Sequence, residues 1–234
     1  MRQIVLDTET TGLDPGDGHR IIEIGCVELL DRKLTGNNLQ IWINPERDID
    51  EGALQVHGIT REFLADKPVF ADIVEDFLGY VKGAELVIHN ADFDIGFLDH
   101  ELKQLGAAHG RMADHCGILD TLLLARQKHP GQKNNLDALC RRYGIDNAHR
   151  ELHGALLDAQ ILADVYLIMT GGQTRLSLGG SDASEEQGSG NEEIRRLPAG
   201  RPSLRVIRAS EEEQAAHRQR VESIAAQGGG EPWE

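Results

Sequence analysis

The amino-acid sequence predicts an α/β domain in residues 1–170, with a mixed sheet of about five strands flanked by helices. Strand-like segments alternate with segments of helical periodicity throughout this range. Hydrophobic residues make up 40% of the 234-residue chain, which is enough for one sizeable core. The composition changes at Thr170, beyond which Gly, Ser, Glu and Gln dominate. We therefore expect one folded domain followed by a flexible C-terminal tail.

The first half of the domain is predicted to form an antiparallel meander. Gln3–Asp7, Ile21–Leu30 and Asn38–Asn44 have the apolar content of strands, and short connections with Gly and Asp join them. Two further strands are expected, a short buried one at Ala84–His89 and a brief one at Gly117–Leu119. These five segments account for the predicted sheet.

Helices are predicted between and after these strands. In the segment Phe93–Leu105, apolar residues recur at 93, 97, 98, 102 and 105, which is a helical spacing. The other segments with helical character are Asp50–Val56, Val69–Val81, Thr121–His129, Asn135–Tyr143 and Gly154–Met169.

The tail is expected to consist of three parts. A short peptide at 171–178 precedes a flexible linker at 179–195, whose composition leaves little to bury. Residues 196–234 regain some apolar content and suit a segment that folds on a partner. Within them, Ser210–Glu213 is a capping-box pattern that predicts a helix to about Ala226. Its apolar face is thin, so this helix would be marginal alone.

Charge argues against tight autonomous binding to nucleic acid. The net charge is −15, from 24 Lys+Arg and 39 Asp+Glu. Residues 171–234 contain 8 basic and 11 acidic residues, which leaves 16 and 28 in residues 1–170, a net charge of −12. A domain without a basic surface is not expected to bind phosphates tightly. Either the ligand is not nucleic acid, or metal ions and a partner protein help to hold it.

Cysteine usage and the N-terminus indicate a cytoplasmic protein without a membrane segment. Cys26, Cys116 and Cys140 are odd in number and far apart, so structural disulfides and a cysteine zinc site are not expected. The N-terminus, MRQIVLD, has no signal-peptide pattern. No apolar run approaches the roughly 20 residues that span a bilayer.

Four carboxylates are candidate metal ligands. Asp7 and Glu9 alternate on a predicted strand, so both side chains leave the same face and can share a metal ion. Asp94 opens a predicted helix beside its apolar stripe, with Asp92 and Asp99 as rivals. Taken singly, each acid could also be a solvated residue at the end of a strand or an acid that interacts with the dipole at the start of a helix.

Asp158 completes the acidic set and has a histidine nearby. His153 is five residues earlier, about 140° away around an ideal helix, so the two cannot share one helical face. We expect His153 to precede the first turn, with Asp158 just inside it. Several carboxylates beside apolar residues are costly to bury as charges. Divalent cations between them would keep them ionised, and a nearby neutral histidine suits the activation of water.

In combination these motifs resemble the DEDDh 3′→5′ exonucleases. The chain has D-x-E at Asp7 and Glu9, N-x-x-x-D from Asn90 to Asp94, and H-x-A-x-x-D from His153 to Asp158. The resemblance covers about residues 1–170 in order and spacing. The segments VHGIT, at 56–60, and HNADFDIGFLDHEL are most similar to the proofreading subunits of bacterial replicative DNA polymerases.

This resemblance implies a ribonuclease H-like fold and removal of mismatched 3′-terminal nucleotides by two-metal-ion hydrolysis. It assigns His153 as the general base. Two Mg²⁺ or Mn²⁺ ions would be held by four carboxylates: Asp7, Glu9, Asp94 and Asp158. The nucleotide pocket would be lined by Gly12, Val56, His57 and His89.

The resemblance also implies partners. DNA 3′ ends are the expected substrate, and the tail at 196–234 is similar to a segment that binds the polymerase catalytic subunit. Gln173–Leu178 has the Gln-x-x-Leu-x-Leu pattern of a sliding-clamp-binding peptide. Tethering through a flexible linker raises the local concentration and would offset weak intrinsic affinity for DNA.

Two other functions remain open on the residues alone. One is an RNA-directed 3′ exoribonuclease, similar to ribonuclease T or oligoribonuclease. Such enzymes lack the long linker and tail as a rule. The other is a non-catalytic scaffold subunit, against which the intact set of four acids and one histidine argues.

Overall fold

The structure, a computed structural model, describes residues 1–147, 152–171 and 209–226. The chain divides into two compact units, Met1–Leu178 and Gly179–Glu234. The predicted clamp-binding peptide Gln173–Leu178 and the linker at 179–195 lie outside the described residues.

The first unit contains one mixed sheet. Its strands are β1 (Arg2–Thr10), β2 (Ile21–Leu30), β3 (Lys33–Leu34), β4 (Leu39–Trp42), β5 (Glu85–Ile88) and β6 (Gly117–Asp120). The order is β3-β2-β1-β5-β6, and β4 also pairs with β2. Strands β1 to β4 pair antiparallel, whereas β5 is parallel to both β1 and β6. The predicted meander and the mixed sheet are confirmed. The two-residue strand β3 is too short to leave a sequence pattern.

Eight helices of this unit are described. They are α1 (Glu51–His57), α2 (Arg61–Leu64), α3 (Phe70–Val81), α4 (Ala91–Leu105), α5 (Met112–His115), α6 (Thr121–Lys128), α7 (Leu136–Tyr143) and α8 (Ala155–Thr170). Two 3₁₀ turns occupy Pro15–Asp17 and Ala107–His109. The sequence missed α2 and α5, because a single helical turn is too short to show a period of 3.6 residues.

Helices cover both faces of the sheet and bury β1 between them. On one face, Ile4 and Leu6 belong to a core cluster that includes residues of α3 and α4. On the other face, Val5 packs in a cluster with Ala159 and Leu162 of α8. Burial on two faces explains why β1 begins as a continuous apolar run. The alternation of side chains puts Asp7 and Glu9 on the face of Val5, the one that α8 covers.

The second unit contains α9 (Glu211–Ala226), which begins at the predicted capping box. The backbone N–H of Ser210 donates to Glu213 Oε2 at 2.7 Å, and the backbone N–H of Glu213 donates to Ser210 Oγ at 3.3 Å. The predicted start and end of this helix are confirmed. Among all the described helices, none is long and apolar enough to cross a membrane.

Candidate active site

A buried strand end carries the first two acids of the site. Asp7 and Glu9 lie in the second half of β1, where Glu9 is opposite Glu23 of β2 in the antiparallel register. Strand β1 extends to Thr10, three residues beyond the predicted end, because its polar residues are also buried there. Both acids therefore sit on a rigid strand rather than on a loop.

The start of α8 brings His153 and Asp158 to this strand. Gly154 is the extended N-cap residue, so His153 precedes the helix and Asp158 lies in its first turn, as the sequence predicts. Asp158 is 3% exposed, and its Oδ2 is 3.2 Å from His153 Nδ1. Glu9, His153 and Asp158 each offer a ligand atom within 4.8 Å of the others. The structure thus joins residues separated by about 150 positions in the chain.

A buried glutamate of β2 fixes the position of α8. Glu23 is fully buried, and its Oε2 accepts a hydrogen bond from the backbone N–H of Ala155 at 3.1 Å. Its Oε1 accepts from Gln40 Nε2 at 2.8 Å. Burial raises the pKa of Glu23, while these two hydrogen bonds oppose the shift and the charge of Asp158 adds to it. The first turn of α8 is therefore capped by the strand beside the one that carries Asp7 and Glu9.

A glycine allows the same helix to approach the sheet closely. Gly25 is opposite Asp7 in the register of β1 and β2. A Cβ atom at this position would lie 2.2 Å from the carbonyl carbon of Ala155. Only glycine leaves room for the helix backbone at that distance. Neither Glu23 nor Gly25 was predicted from the sequence, although a charged residue inside the apolar run IIEIGCV was a detectable signal.

The fourth acid comes from α4 on the opposite side of β1. Asp94 is 3% exposed, and the hydroxyl of Thr8 donates to its Oδ1 at 2.7 Å. Burial raises the pKa of Asp94 to about 7; the Thr8 hydrogen bond opposes this shift and the charge of Asp120 adds to it. A raised pKa indicates that the protein alone does not compensate this negative charge.

The rivals of Asp94 point elsewhere. Asp92 is exposed in the first turn of α4, and Asp99 Oδ1 accepts from the backbone N–H of Met112 at the start of α5. Neither lines the cavity that contains Asp94. Of the three aspartates in this helix, Asp94 is the one that faces the other carboxylates.

Two adjoining cavities open at the end of β1. The first has a volume of about 420 Å³, and the second about 270 Å³. They share Thr8, Glu9 and Phe93 as lining residues. The second cavity is lined by all five predicted acid and histidine residues: Asp7, Glu9, Asp94, His153 and Asp158. The convergence on which the sequence interpretation depends is therefore present.

The residues predicted for a nucleotide pocket divide between the two cavities. Gly12, Val56 and His57 line the first one, whereas His89 lies with the acids in the second. Burial lowers the pKa of both histidines, so both are neutral at pH 7. At Gly12, a Cβ atom would lie 2.2 Å from the His19 ring. Glycine therefore allows this ring to pack against the turn. Thr8 and Phe93, which join the cavities, were missed by the sequence analysis.

The wall of the first cavity also supports the segment that carries His153. The backbone N–H of His153 donates to the carbonyl of Val56 at 3.1 Å. Val56 lines the first cavity and His153 lines the second. This hydrogen bond joins the end of α1 to His153, so the walls of the two cavities are connected.

The donor set fits hard divalent cations. Carboxylate oxygens dominate it, and they are the ligands that Mg²⁺, Mn²⁺ and Ca²⁺ prefer. The side chains of Asp94 and Asp158 are buried, and no cysteine lines either cavity. Positive charge between these oxygens would remove the penalty that raises the pKa of Asp94.

Comparison with known proteins identifies related sequences over almost the whole chain. Residues 4–166 match the family model RNase_T, described as Exonuclease. DNA polymerase III subunit epsilon of Salmonella typhimurium is 53% identical over 236 residues, covering 99% of this chain and 97% of that protein. The subunit of the same name from Escherichia coli K12 is 50% identical with the same coverage. That of Haemophilus influenzae is 60% identical over 179 residues, 75% of this chain and 70% of that protein.

Solved structures share the fold. Exonuclease X in complex with 5′ overhanging duplex DNA superimposes with a TM-score of 0.58 at 29% identity, over 72% of this chain and 91% of that chain. Exonuclease I in its apo form superimposes with a TM-score of 0.59 at 16% identity, over 73% of this chain and 42% of that chain. At that identity, the second likeness concerns the fold alone.

Proposed function

Because the chain belongs to the RNase_T exonuclease family, we infer that it is the 3′→5′ proofreading exonuclease subunit of a bacterial replicative DNA polymerase. The observation that carries this conclusion is the cavity where Asp7, Glu9, Asp94, His153 and Asp158 meet. Its neighbour is large enough for a nucleotide. The DNA polymerase III subunits that are similar over nearly their whole length favour DNA over RNA as the substrate. The proposal includes a cytoplasmic location for the protein.

The four carboxylates are proposed to hold divalent metal ions, two Mg²⁺ or two Mn²⁺. The ligands would be Asp7, Glu9, Asp94 and Asp158. When bound, such ions stabilise the negative charge that develops on phosphate oxygens during hydrolysis. Thr8 would position Asp94, because its hydroxyl donates a hydrogen bond to that carboxylate. Glu23 would position Asp158, because it caps the first turn of α8.

His153 is proposed to act as the general base. Its Nδ1 faces Asp158 Oδ2 at 3.2 Å, and an N–H at Nδ1 leaves the lone pair of Nε2 to accept a proton from water. The water oxygen bonds to phosphorus, and the bond from phosphorus to the 3′ oxygen of the preceding nucleotide breaks. That oxygen takes up a proton, and a nucleoside 5′-monophosphate is released.

The first cavity is proposed to take the 3′-terminal nucleotide, with Gly12, Val56 and His57 in its wall. A mismatched terminal pair costs less to open than a matched one, so frayed ends would enter more often. Selectivity for errors then needs no reading of the base sequence. The lining supports this role, since it combines apolar side chains with the backbone of a glycine turn.

The proposed activity can be tested with a primer that ends in a mismatch. We expect the wild-type protein with Mg²⁺ or Mn²⁺ to release nucleoside monophosphates from this primer faster than from a matched one. Loss of a general base typically costs about 10²–10⁴-fold, so His153→Ala should be slower by that range. Quantification of monophosphates by chromatography measures both effects.

Three comparisons give this test its controls. Addition of a chelator should stop release, and an RNA primer of the same sequence should be degraded more slowly. His109→Ala is a matched control, because His109 lies at the end of a 3₁₀ turn and lines neither of the two cavities. Equal rates for wild type and His153→Ala would contradict the role of His153, and faster RNA degradation would favour the exoribonuclease alternative.

The tail is proposed to tether the domain to its partners. Residues 1–170 have a net charge of −12, so intrinsic affinity for DNA is expected to be low. We propose that Gln173–Leu178 binds the sliding clamp, that 179–195 is a linker, and that 196–234 binds the polymerase catalytic subunit. A tether of this kind converts the encounter with the primer end into an intramolecular event.

Truncation separates the tether from the catalysis. Removal of residues 179–234 is expected to leave hydrolysis of a free single-stranded oligonucleotide within about twofold, because the site lies in the first unit. The same truncation should abolish co-elution with the polymerase catalytic subunit in size-exclusion chromatography. Co-elution that survives the truncation would show that the polymerase binds another surface.

A further inference from the structure

A positively charged surface lies next to the acidic site. Residues 126–142 contain five cationic side chains and one acid, a net charge of +4 in a domain whose total is −12. We define the basic surface as Arg126, Lys128 and Lys133, which come from the end of α6 and the connection to α7. All three are exposed, and no carboxylate in the described part of the chain forms an ion pair with them.

The connection between α6 and α7 is held in a defined shape. Asn134 is 7% exposed, and its Nδ2 donates to the carbonyls of His129 and Gln132 at 3.2 and 3.0 Å. Arg142 donates to Asn134 Oδ1 at 3.2 Å and to the carbonyl of Lys133 at 2.9 Å. Arg142 therefore has a structural role, and Lys133 projects from a loop whose backbone is fixed.

This loop forms part of the second cavity. Asn135, Leu136 and Asp137 line it, and Lys133 is two residues before the first of them. Arg126 belongs to α6, whose first residue, Thr121, has its Oγ1 2.9 Å from Nδ1 of His89, a lining residue of the same cavity. Arg126 and Lys133 thus border the second cavity on the side of α6 and α7, and Lys128 lies between them in the chain.

We propose that Arg126, Lys128 and Lys133 bind phosphates of the DNA strand on the 5′ side of the cleaved bond. This inference rests on the proposed function. With the terminal nucleotide in the first cavity and the cleaved phosphate at the carboxylates, the remaining strand would continue across the second cavity. Its next phosphates then pass the α6–α7 connection. Exposed Lys and Arg side chains without acidic partners are suited to phosphate oxygens.

A basic surface at this place would reduce the electrostatic repulsion between the acidic domain and the DNA strand. Without these three cations, the net charge of residues 1–170 would be −15 rather than −12, and repulsion of the strand would be stronger. A local positive strip offsets that repulsion where the strand emerges, while the acids around the metal site keep their charge. The strip would hold several nucleotides without selecting their bases.

The test compares a substrate that has upstream phosphates with one that lacks them. The full-length double variant Lys128→Ala/Lys133→Ala is assayed on a single-stranded oligonucleotide and on a nitrophenyl ester of a nucleoside 5′-monophosphate. The ratio of kcat/KM for the oligonucleotide to kcat/KM for the ester should fall about tenfold at low salt. The slope of log kcat/KM against log salt for the oligonucleotide should become shallower by about 1.4, about 0.7 for each lost phosphate contact.

Lys82→Ala is the matched control, because Lys82 is an exposed lysine that lines neither of the two cavities of the site. An unchanged ratio and an unchanged salt slope in the double variant would overturn the basic-surface proposal. A fall of equal size on both substrates would also overturn it, since the ester has no upstream phosphate. Failure of the proposed function is distinct, because the wild-type protein would then hydrolyse neither substrate.

Discussion

The Asp158→Asn variant is expected to lose at least about 10³-fold in kcat on a single-stranded oligonucleotide, the largest effect we anticipate from a single substitution. Asparagine keeps the shape of the side chain but removes the negative charge from the group of Glu9, His153 and Asp158. A metal ion contributes several kcal/mol of transition-state stabilisation, and each 1.36 kcal/mol is about tenfold in rate. Steady-state kinetics with excess Mg²⁺ or Mn²⁺ measures the loss.

Asp164→Asn provides the matched control for this variant. Asp164 lies in the same helix, α8, but is exposed to solvent. It should retain activity within about twofold, as most surface substitutions away from special features do. Thermal unfolding of the metal-free protein checks that Asp158→Asn is folded. If Asp158→Asn stays active with the fold intact, the proposed metal site is in the wrong place.

Divalent cations are expected to stabilise the protein, and more strongly in alkaline than in acidic solution. At about 100 times its dissociation constant, a bound ion adds about 2.7 kcal/mol, which is roughly 5–10 °C in Tm for a domain of this size. The carboxylates must be ionised to bind metal, so protons compete with it. Differential scanning calorimetry with Mn²⁺ and with a chelator, at about pH 5 and about pH 8, measures the difference.

The metal-free protein should show the opposite trend, and Asp94 is the cause. Burial raises the pKa of Asp94 to about 7, well above the usual value for an aspartate. The folded protein therefore binds a proton more strongly than the unfolded chain. The contribution of Asp94 to the free energy of unfolding is largest below about pH 4, and it is lost as the pH rises to about 7. The loss is of the order of a few kcal/mol, at about 1.4 kcal/mol for each pKa unit.

Two substitutions in the same helical turn isolate this effect. Asp94→Asn should flatten the dependence of the metal-free Tm on pH and reduce the stabilisation by Mn²⁺. Asp92→Asn should change neither, because Asp92 is exposed and lines neither cavity. Identical pH dependence in wild type and Asp94→Asn would show that another group titrates in this range.

Local patterns were sufficient for most elements of the fold. The antiparallel meander, the buried strand β5 and the long helices α3, α4 and α8 appear within a few residues of their predicted bounds. The capping box at Ser210 placed the start of α9 correctly, because it depends on contacts within four residues. The single-turn helices α2 and α5 were missed, since neither contains a full period of apolar residues.

Boundaries were wrong where burial by a distant element decided them. The strand-like segment was predicted to end at Asp7, although the D-x-E spacing already required Glu9 to lie on the same strand, and β1 continues to Thr10. A polar run normally signals a strand end. Here β2 pairs with the whole of it and Thr8 to Thr10 are buried, so the ladder continues past the apolar residues.

The sequence by itself determined which residues are candidates for the site and on which side of its own element each one lies. The two-residue period of a strand puts Asp7 and Glu9 on one face, and the 3.6-residue period of a helix separates His153 from Asp158. Only the tertiary structure decided how these pieces meet. Glu23 caps α8 across 132 residues, and Thr8 reaches Asp94 across 86. Periodicity reports which side of its own element a residue occupies, whereas such contacts depend on the packing of elements that are remote in the chain.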